Sequence, residues 1–168
     1  MATVLSNILT DEANLDIQID HGRAHNHEKV AICEYTASGA LADNTVILLT
    51  RIPVDARITS IRFFSDDLGT TGAFNLGFYP GNIAPGSVVI GDALDEDALA
   101  TAIDVNAAAV SDSEVRFEAA NITTASDAAW SLAGLSSRPD YGTVYLALTA
   151  SAATTAGGDI TVIVRYTR

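Results

Sequence analysis

From residue 30 onward, apolar residues occur in short runs separated by Gly, Asn, Asp and Pro. Apolar and polar residues alternate within most runs, which is the pattern of strands with one buried face. The C-terminal run is the clearest, because Ile160, Val162, Val164 and Tyr166 share one face. The pattern predicts strands at 30–36, 45–50, 57–64, 73–79, 143–150 and 158–166.

Two segments have a different pattern and are predicted to be short helices. Residues 95–103 begin with three acids, which favour the positive end of a helix, and carry apolar residues at helical spacing. Residues 126–135 have Ser126 where a helix would be capped and Gly134 where it would end.

The loops between the predicted strands are too short for the helical crossovers that a parallel sheet requires. We therefore predict an all-β fold, an antiparallel β-sandwich or jelly roll with one or two short helices, with a small barrel as the alternative. About eight strands are expected in all. No fixed-period repeat and no linker divides residues 29–168, so we expect these residues to form one domain.

Residues 1–28 differ from the rest and are predicted to be an extended N-terminal arm with a short strand. Leu15, Ile17 and Ile19 alternate with polar residues, and 21–27 is a polar loop. We expect the arm to contact a neighbouring subunit, in part as an added strand. The predicted assembly contacts are Leu5, Ile8, Leu9, Leu15, Ile17, Ile19 and Arg23. The arm does not begin with a basic segment before an apolar one, so we predict synthesis and folding in a cytoplasm.

The net charge of −12 narrows the range of partners that we expect for this chain. Twenty-one acidic residues face nine basic ones, and Lys29 is the only lysine. A phosphate backbone or an anionic membrane selects a basic surface, so we expect neither nucleic acid nor membrane as a partner. No apolar run approaches the roughly 18 residues that span a bilayer.

The residues that could carry chemistry form no recognisable site. His21, His25 and His27 are close in sequence, but nothing nearby completes a tetrahedral metal site, so a polar loop or subunit contact is favoured. The acids Asp66, Asp67, Asp92, Asp95, Glu96 and Asp97 lack the order of an EF-hand and suit turns and a helix start.

The sequence also lacks the motifs that mark a catalytic serine nucleophile or a phosphate-binding loop. It has no G-x-S-x-G, no S-x-x-K and no phosphate-loop motif. Cys33, the only cysteine, lies in an apolar run and is expected to be buried and inert. Trp130 is expected to be a core anchor. We therefore predict a protein without catalytic activity, cofactor or metal.

Several stretches give the chain a resemblance to a known group of proteins. They are residues 51–58 (RIPVDARI), 66–69 (DDLG), 76–79 (LGFY), the acidic segment 92–103, 130–135 (WSLAGL) and 145–150 (YLALTA). In this order and texture the chain resembles the small structural proteins encoded beside the major capsid protein in tailed bacteriophages.

Many proteins of that group are head decoration, or cement, proteins. The resemblance implies a virion protein on the outside of a phage head, bound to the major capsid protein and to copies of itself, often as a homotrimer. It also implies an arm that reaches the shell or a neighbour, and stabilisation of the expanded head by mass action.

Two other classes of function stay open. A carbohydrate- or receptor-binding module of a phage fibre or tail tip would use exposed aromatic side chains, with Tyr79, Tyr141 and Tyr145 as candidates. A hydrolase would need a facing pair of carboxylates that no motif reveals.

Overall fold

The computed structural model describes residues 3–5, 28–82, 91–106, 108–118, 122–124 and 126–168. These ranges hold one 3₁₀ turn (Ile122–Thr124), one short helix, α1 (Ala129–Leu132), and nine strands. The strands are β1 (Thr3–Leu5), β2 (Lys29–Ala37), β3 (Val46–Pro53), β4 (Arg57–Ser65), β5 (Ala73–Pro80), β6 (Asp95–Asp104), β7 (Val110–Glu114), β8 (Thr143–Ala152) and β9 (Gly158–Thr167).

The strands form two sheets that pack face to face. One sheet has the order β2-β9-β4-β7 and the other the order β1-β3-β8-β5-β6. Every pairing is antiparallel except that of β1 with β3, which is parallel. Strands β2 to β9 thus form two interleaved four-stranded sheets, the arrangement of a jelly roll. The prediction of an antiparallel β-sandwich or jelly roll is confirmed.

A single apolar core lies between the sheets, built by the alternation seen in the sequence. On β9 the residues Ile160, Val162 and Val164 are buried, and on β5 the residues Phe74, Leu76 and Phe78 are buried. Burial of each such side chain contributes about 1.5–3 kcal/mol relative to exposure. Strands 30–36, 45–50, 57–64, 73–79, 143–150 and 158–166 were therefore predicted with the right type and nearly the right bounds.

The predicted helix at 95–103 is wrong, because these residues form the edge strand β6. Two register shifts interrupt its pairing with β5, and Ala102 has a left-handed backbone with φ of 51°. These irregularities turn the consecutive residues Leu99 and Ala100, and then Ile103, toward the core. Bulges of this kind break the two-residue period of a strand, so the buried positions imitate helical spacing.

The second predicted helix is present but shorter than expected. Its single turn begins after Ala128, and Ser126 makes no cap because no side chain bonds the helix start. Gly134 follows the end with φ of +72°, as expected of a glycine that terminates a helix. No helix in the described ranges has the length and apolar character needed to cross a membrane.

Candidate assembly surfaces

The outer face of the four-stranded sheet carries an exposed apolar strip, consisting of Val30, Ile32 and Ile163. Val30 is 53% exposed and Ile32 51%, because the inward positions of β2 are taken by Ala31, Cys33, Tyr35 and Ala37. Ile163 lies directly opposite Ile32 on the neighbouring strand β9 and is half-buried. The strip is therefore an apolar surface that water contacts, and it lies at the edge of the sheet.

Ion pairs surround this strip. Arg62 lies 2.8 Å from Asp112 and 3.6 Å from Glu114. Arg165 lies 3.7 Å from Glu28, which also accepts a hydrogen bond of 2.8 Å from the Thr59 hydroxyl. Exposed pairs of this kind contribute about 0–1 kcal/mol each, so they orient charge on the surface more than they stabilise the fold.

The outer face of the five-stranded sheet differs, because its apolar side chains on β3, β5 and β8 are buried. Val46, Leu48, Tyr79, Tyr145 and Ala147 form a second apolar cluster, each at most 2% exposed. Both faces of strands β3, β5 and β8 are thus largely withdrawn from water, whereas Glu96 and Thr101 of edge strand β6 stay exposed. The large exposed apolar side chains of the described strands, Val30 and Ile32, lie on the other sheet.

Polar groups within this buried cluster are paired with one another. The hydroxyls of Tyr79 and Thr149 are 2.9 Å apart, and Nε of Arg51 donates to the Tyr145 hydroxyl at 2.7 Å. The Arg51 guanidinium also lies 4.8 Å from the centre of the Tyr145 ring, within cation–π range. Burial raises the pKa of Tyr79. Neither tyrosine is available to stack on a carbohydrate, and Tyr141 packs in part against the core.

Helix α1 closes one end of the sandwich over the turn between β3 and β4. The amide of Ala129 donates to the Ala56 carbonyl at 2.8 Å, and that of Trp130 donates to the Val54 carbonyl at 3.1 Å. Trp130 packs against the core, as predicted. At the same end Arg138 forms a two-pronged ion pair with Asp55, and this hydrogen bonding lowers the pKa of Asp55.

Arg116 is fully buried just after β7. Its Nε donates to the Ile58 carbonyl at 3.2 Å and its Nη2 to the Thr124 carbonyl at 3.3 Å, while Nη1 has no partner. Burial lowers the pKa of this guanidinium. The side chain ties the segment after β7 to strand β4, and the sequence offered no signal that an arginine would serve there.

The groups considered for chemistry do not converge. Among the described residues no three His, Cys, Asp or Glu side chains are placed to hold a metal ion. The pKa of Asp95 is raised, first by burial and then by its neighbour Asp97. Burial raises the pKa of the Cys33 thiol to about 12, as suits the inert cysteine that was predicted. His21, His25 and His27 lie outside the described residues.

The predicted assembly residues fall mostly outside the described ranges. Leu5 lies in β1, whose backbone pairs with β3 of the same chain. Ile8, Leu9, Leu15, Ile17, Ile19 and Arg23 are not among the described residues. Sequence reasoning missed Val30 and Ile32, although an available signal was the apolar residues on both faces of the run 30–33.

Comparisons with known proteins add likenesses of fold. No protein-family model and no curated protein matches the chain. A chain of the capsid of Ralstonia phage GP4 superposes with a TM-score of 0.59 at 18% identity, covering 99% of this chain and 98% of that one. A chain of the cyanophage Pam1 capsid asymmetric unit gives a TM-score of 0.54 at 17% identity, covering 90% and 91%. At these identities the likeness shows a shared fold.

Proposed function

We propose that this chain is a virion structural protein of a tailed bacteriophage that decorates the outside of the head. The observation that carries the proposal is a match over nearly the full length of both chains to a protein of the Ralstonia phage GP4 capsid. A match of that extent means that the jelly roll as a whole recurs in a protein of that phage capsid.

The kinds of side chains that the described surface presents support a role in binding other proteins. The described residues bring no metal-binding group together, and the one thiol is buried with a strongly raised pKa. The accessible features are instead an apolar strip and surface ion pairs, which suit contacts between proteins. A surface with net negative charge also resists non-specific association at high copy number.

In this proposal the protein binds the major capsid protein and copies of itself. Binding only the expanded head would stabilise that state by mass action. The arm, residues 1–28, extends the contact area beyond the β-sandwich of residues 29–168, and the homotrimer implied by the resemblance remains our prediction for the free protein. Its site of action is the capsid exterior, after synthesis in the bacterial cytoplasm.

The fibre or tail-tip module has less support. That alternative relies on exposed tyrosines, and Tyr79 and Tyr145 are buried on the five-stranded sheet. Glycan binding by the purified protein would favour it.

The test is co-sedimentation of the purified protein with expanded phage heads that lack it, with the native mass measured in parallel. The variant L15S/I17S/I19S removes the predicted apolar face of the arm, and D16S/Q18S/D20S changes three residues on its opposite face as a control. We expect wild type and control to sediment with heads and the apolar-face variant to lose at least about tenfold in affinity, since it gives up several buried side chains. Absence of head binding by wild type would overturn the proposal, and equal binding of both variants would overturn the role of the arm.

A further inference from the structure

Strands β6 and β7 follow each other in the chain and are edge strands of different sheets. Because only residues 105–109 join them, they lie on one side of the sandwich, which we call the β6–β7 flank. β6 contains four acidic residues and β7 two, and neither contains a basic one. An edge strand is a template for a strand of another molecule, and natural proteins protect such edges with charges and bulges.

Strand β6 carries a bulge opposite Asn75 of β5. The register places two residues, Thr101 and Ala102, opposite Asn75 alone, and Ala102 has a left-handed backbone with φ of 51°. A bulge leaves the extra residue without its ladder bond, and here the Ala102 amide donates to Oδ1 of Asn75 at 3.0 Å. Asn75 is only 8% exposed, and its Nδ2 faces a carboxylate oxygen of Glu96 at 3.5 Å. The Asn75 side chain therefore replaces the missing ladder bond.

Strand β7 repeats this arrangement. Two of its residues, Ser111 and Asp112, lie opposite Phe64 of β4, and Asp112 has φ of 59°. A side chain of the neighbouring strand again contacts the left-handed residue, since Nη1 of Arg62 lies 2.8 Å from the Asp112 carboxylate. Three non-glycine residues in the described ranges have a left-handed backbone, and two of them are these bulge residues. The recurrence of so rare a conformation at both edges points to one role for both bulges.

We propose that the two bulges, held by Asn75 and Arg62, keep the β6–β7 flank from pairing with a strand of another molecule. A left-handed residue turns the neighbouring backbone groups out of line, so an incoming strand meets an interrupted row of donors and acceptors. The acids of the flank add repulsion toward any partner with a net negative charge, a second copy of this chain included. Assembly by strand addition therefore uses other surfaces of the protein. The inference concerns the free protein and does not depend on the proposed function.

The first test measures the hydrogen bond at Ala102. In Asn75→Ala the amide of Ala102 loses its acceptor, and the control Asn106→Ala removes the same side chain from the exposed loop after β6. NMR hydrogen exchange on the full-length proteins should show exchange at residue 102 at least about tenfold faster in N75A, because an amide without its partner opens more readily. N106A should match wild type there. Equal exchange at residue 102 in wild type and N75A would overturn the role of Asn75.

The second test changes the bulge and leaves Asn75 in place. Ala102 is exposed, so a substitution there does not disturb the core. Glycine adopts a positive φ freely and should preserve the bulge, whereas a β-branched residue disfavours it and should straighten the strand. Asp112→Gly and Asp112→Val make the same comparison on β7, with the same loss of charge in both variants.

The variants, with folding verified by circular dichroism, are compared by sedimentation velocity over a range of concentrations. We expect A102V and D112V to form species larger than those of wild type at concentrations at least about tenfold lower than A102G and D112G. If a valine variant does not fold, N75A and N106A replace that pair in the same comparison. Equal sedimentation within a pair of folded variants would overturn the proposal. Because no assay contains phage heads, this result is independent of capsid binding.

Discussion

The hydrogen bond between Tyr79 and Thr149 lies on the outer face of the five-stranded sheet, and both residues are almost completely buried. The two hydroxyl oxygens are 2.9 Å apart, with Tyr79 0% and Thr149 2% exposed. Replacing Tyr79 with phenylalanine removes one hydroxyl and leaves that of Thr149 without its partner. Because water does not reach this position, the abandoned group has nothing to replace the lost bond.

The magnitude follows from that burial. An unsatisfied buried hydroxyl costs about 1–3 kcal/mol, whereas removing both partners together is much less costly than the two single changes suggest. We therefore expect Y79F and T149V each to lower the free energy of unfolding by about 1–3 kcal/mol. The double variant should lose less than the sum, with a coupling energy of about 1 kcal/mol or more. For a chain of this size each kcal/mol corresponds to about 2–4 °C in Tm.

The assay is urea unfolding of wild type, both single variants and the double variant, monitored by circular dichroism. Thr101→Val serves as a control, since Thr101 is exposed on β6 and the same loss of a hydroxyl should there change stability by less than about 0.5 kcal/mol. If water reached the outer face, each single change at the buried pair would resemble the control and the double variant would be additive. That result would refute the conclusion that the outer face of β5 and β8 is buried.

Three further predictions concern other parts of the fold. Gly77→Ala should lower the free energy of unfolding by at least about 1–3 kcal/mol in a denaturant titration, because an added Cβ would lie 2.1 Å from the Asp95 carbonyl oxygen of β6. The control is Gly39→Ala, where nothing lies within 4 Å of an added Cβ. Equal losses of stability in the two variants would contradict the close approach of β5 to β6. Arg138→Gln should raise the pKa of Asp55, as followed by NMR titration, because the ion pair with Arg138 lowers that pKa in the folded protein. The stability that the ion pair contributes is therefore present above the pKa of Asp55 in the unfolded chain, and it is lost as the pH falls through the pKa of Asp55 in the folded protein. An unchanged pKa would show that the pair does not persist in solution. The Cys33 thiol should react with a thiol reagent only at the rate of unfolding near neutral pH, because burial raises its pKa to about 12, and rapid labelling of the native protein would contradict that burial.

The sequence by itself determined the type of six strands and the all-β class. Most of those strands show their buried face as alternating apolar residues, as in 158–166, and β3 shows it as a continuous apolar run that is buried on both faces. The burial of Cys33 and the position of Trp130 against the core were predictable for the same reason. Local pattern is sufficient where one strand has one regular face.

Only the tertiary structure decided β6, the order of the strands and the location of the accessible apolar surface. β6 contains residues with low strand preference, and pairing with β5 overrides it, since β propensity depends on the neighbours that a strand finds. Tyr145 on β8 and Ile32 on β2 both point away from the core that lies between the sheets, yet Tyr145 is buried and Ile32 is exposed. Periodicity tells which residues share a face, but which face is covered depends on contacts between residues distant in sequence.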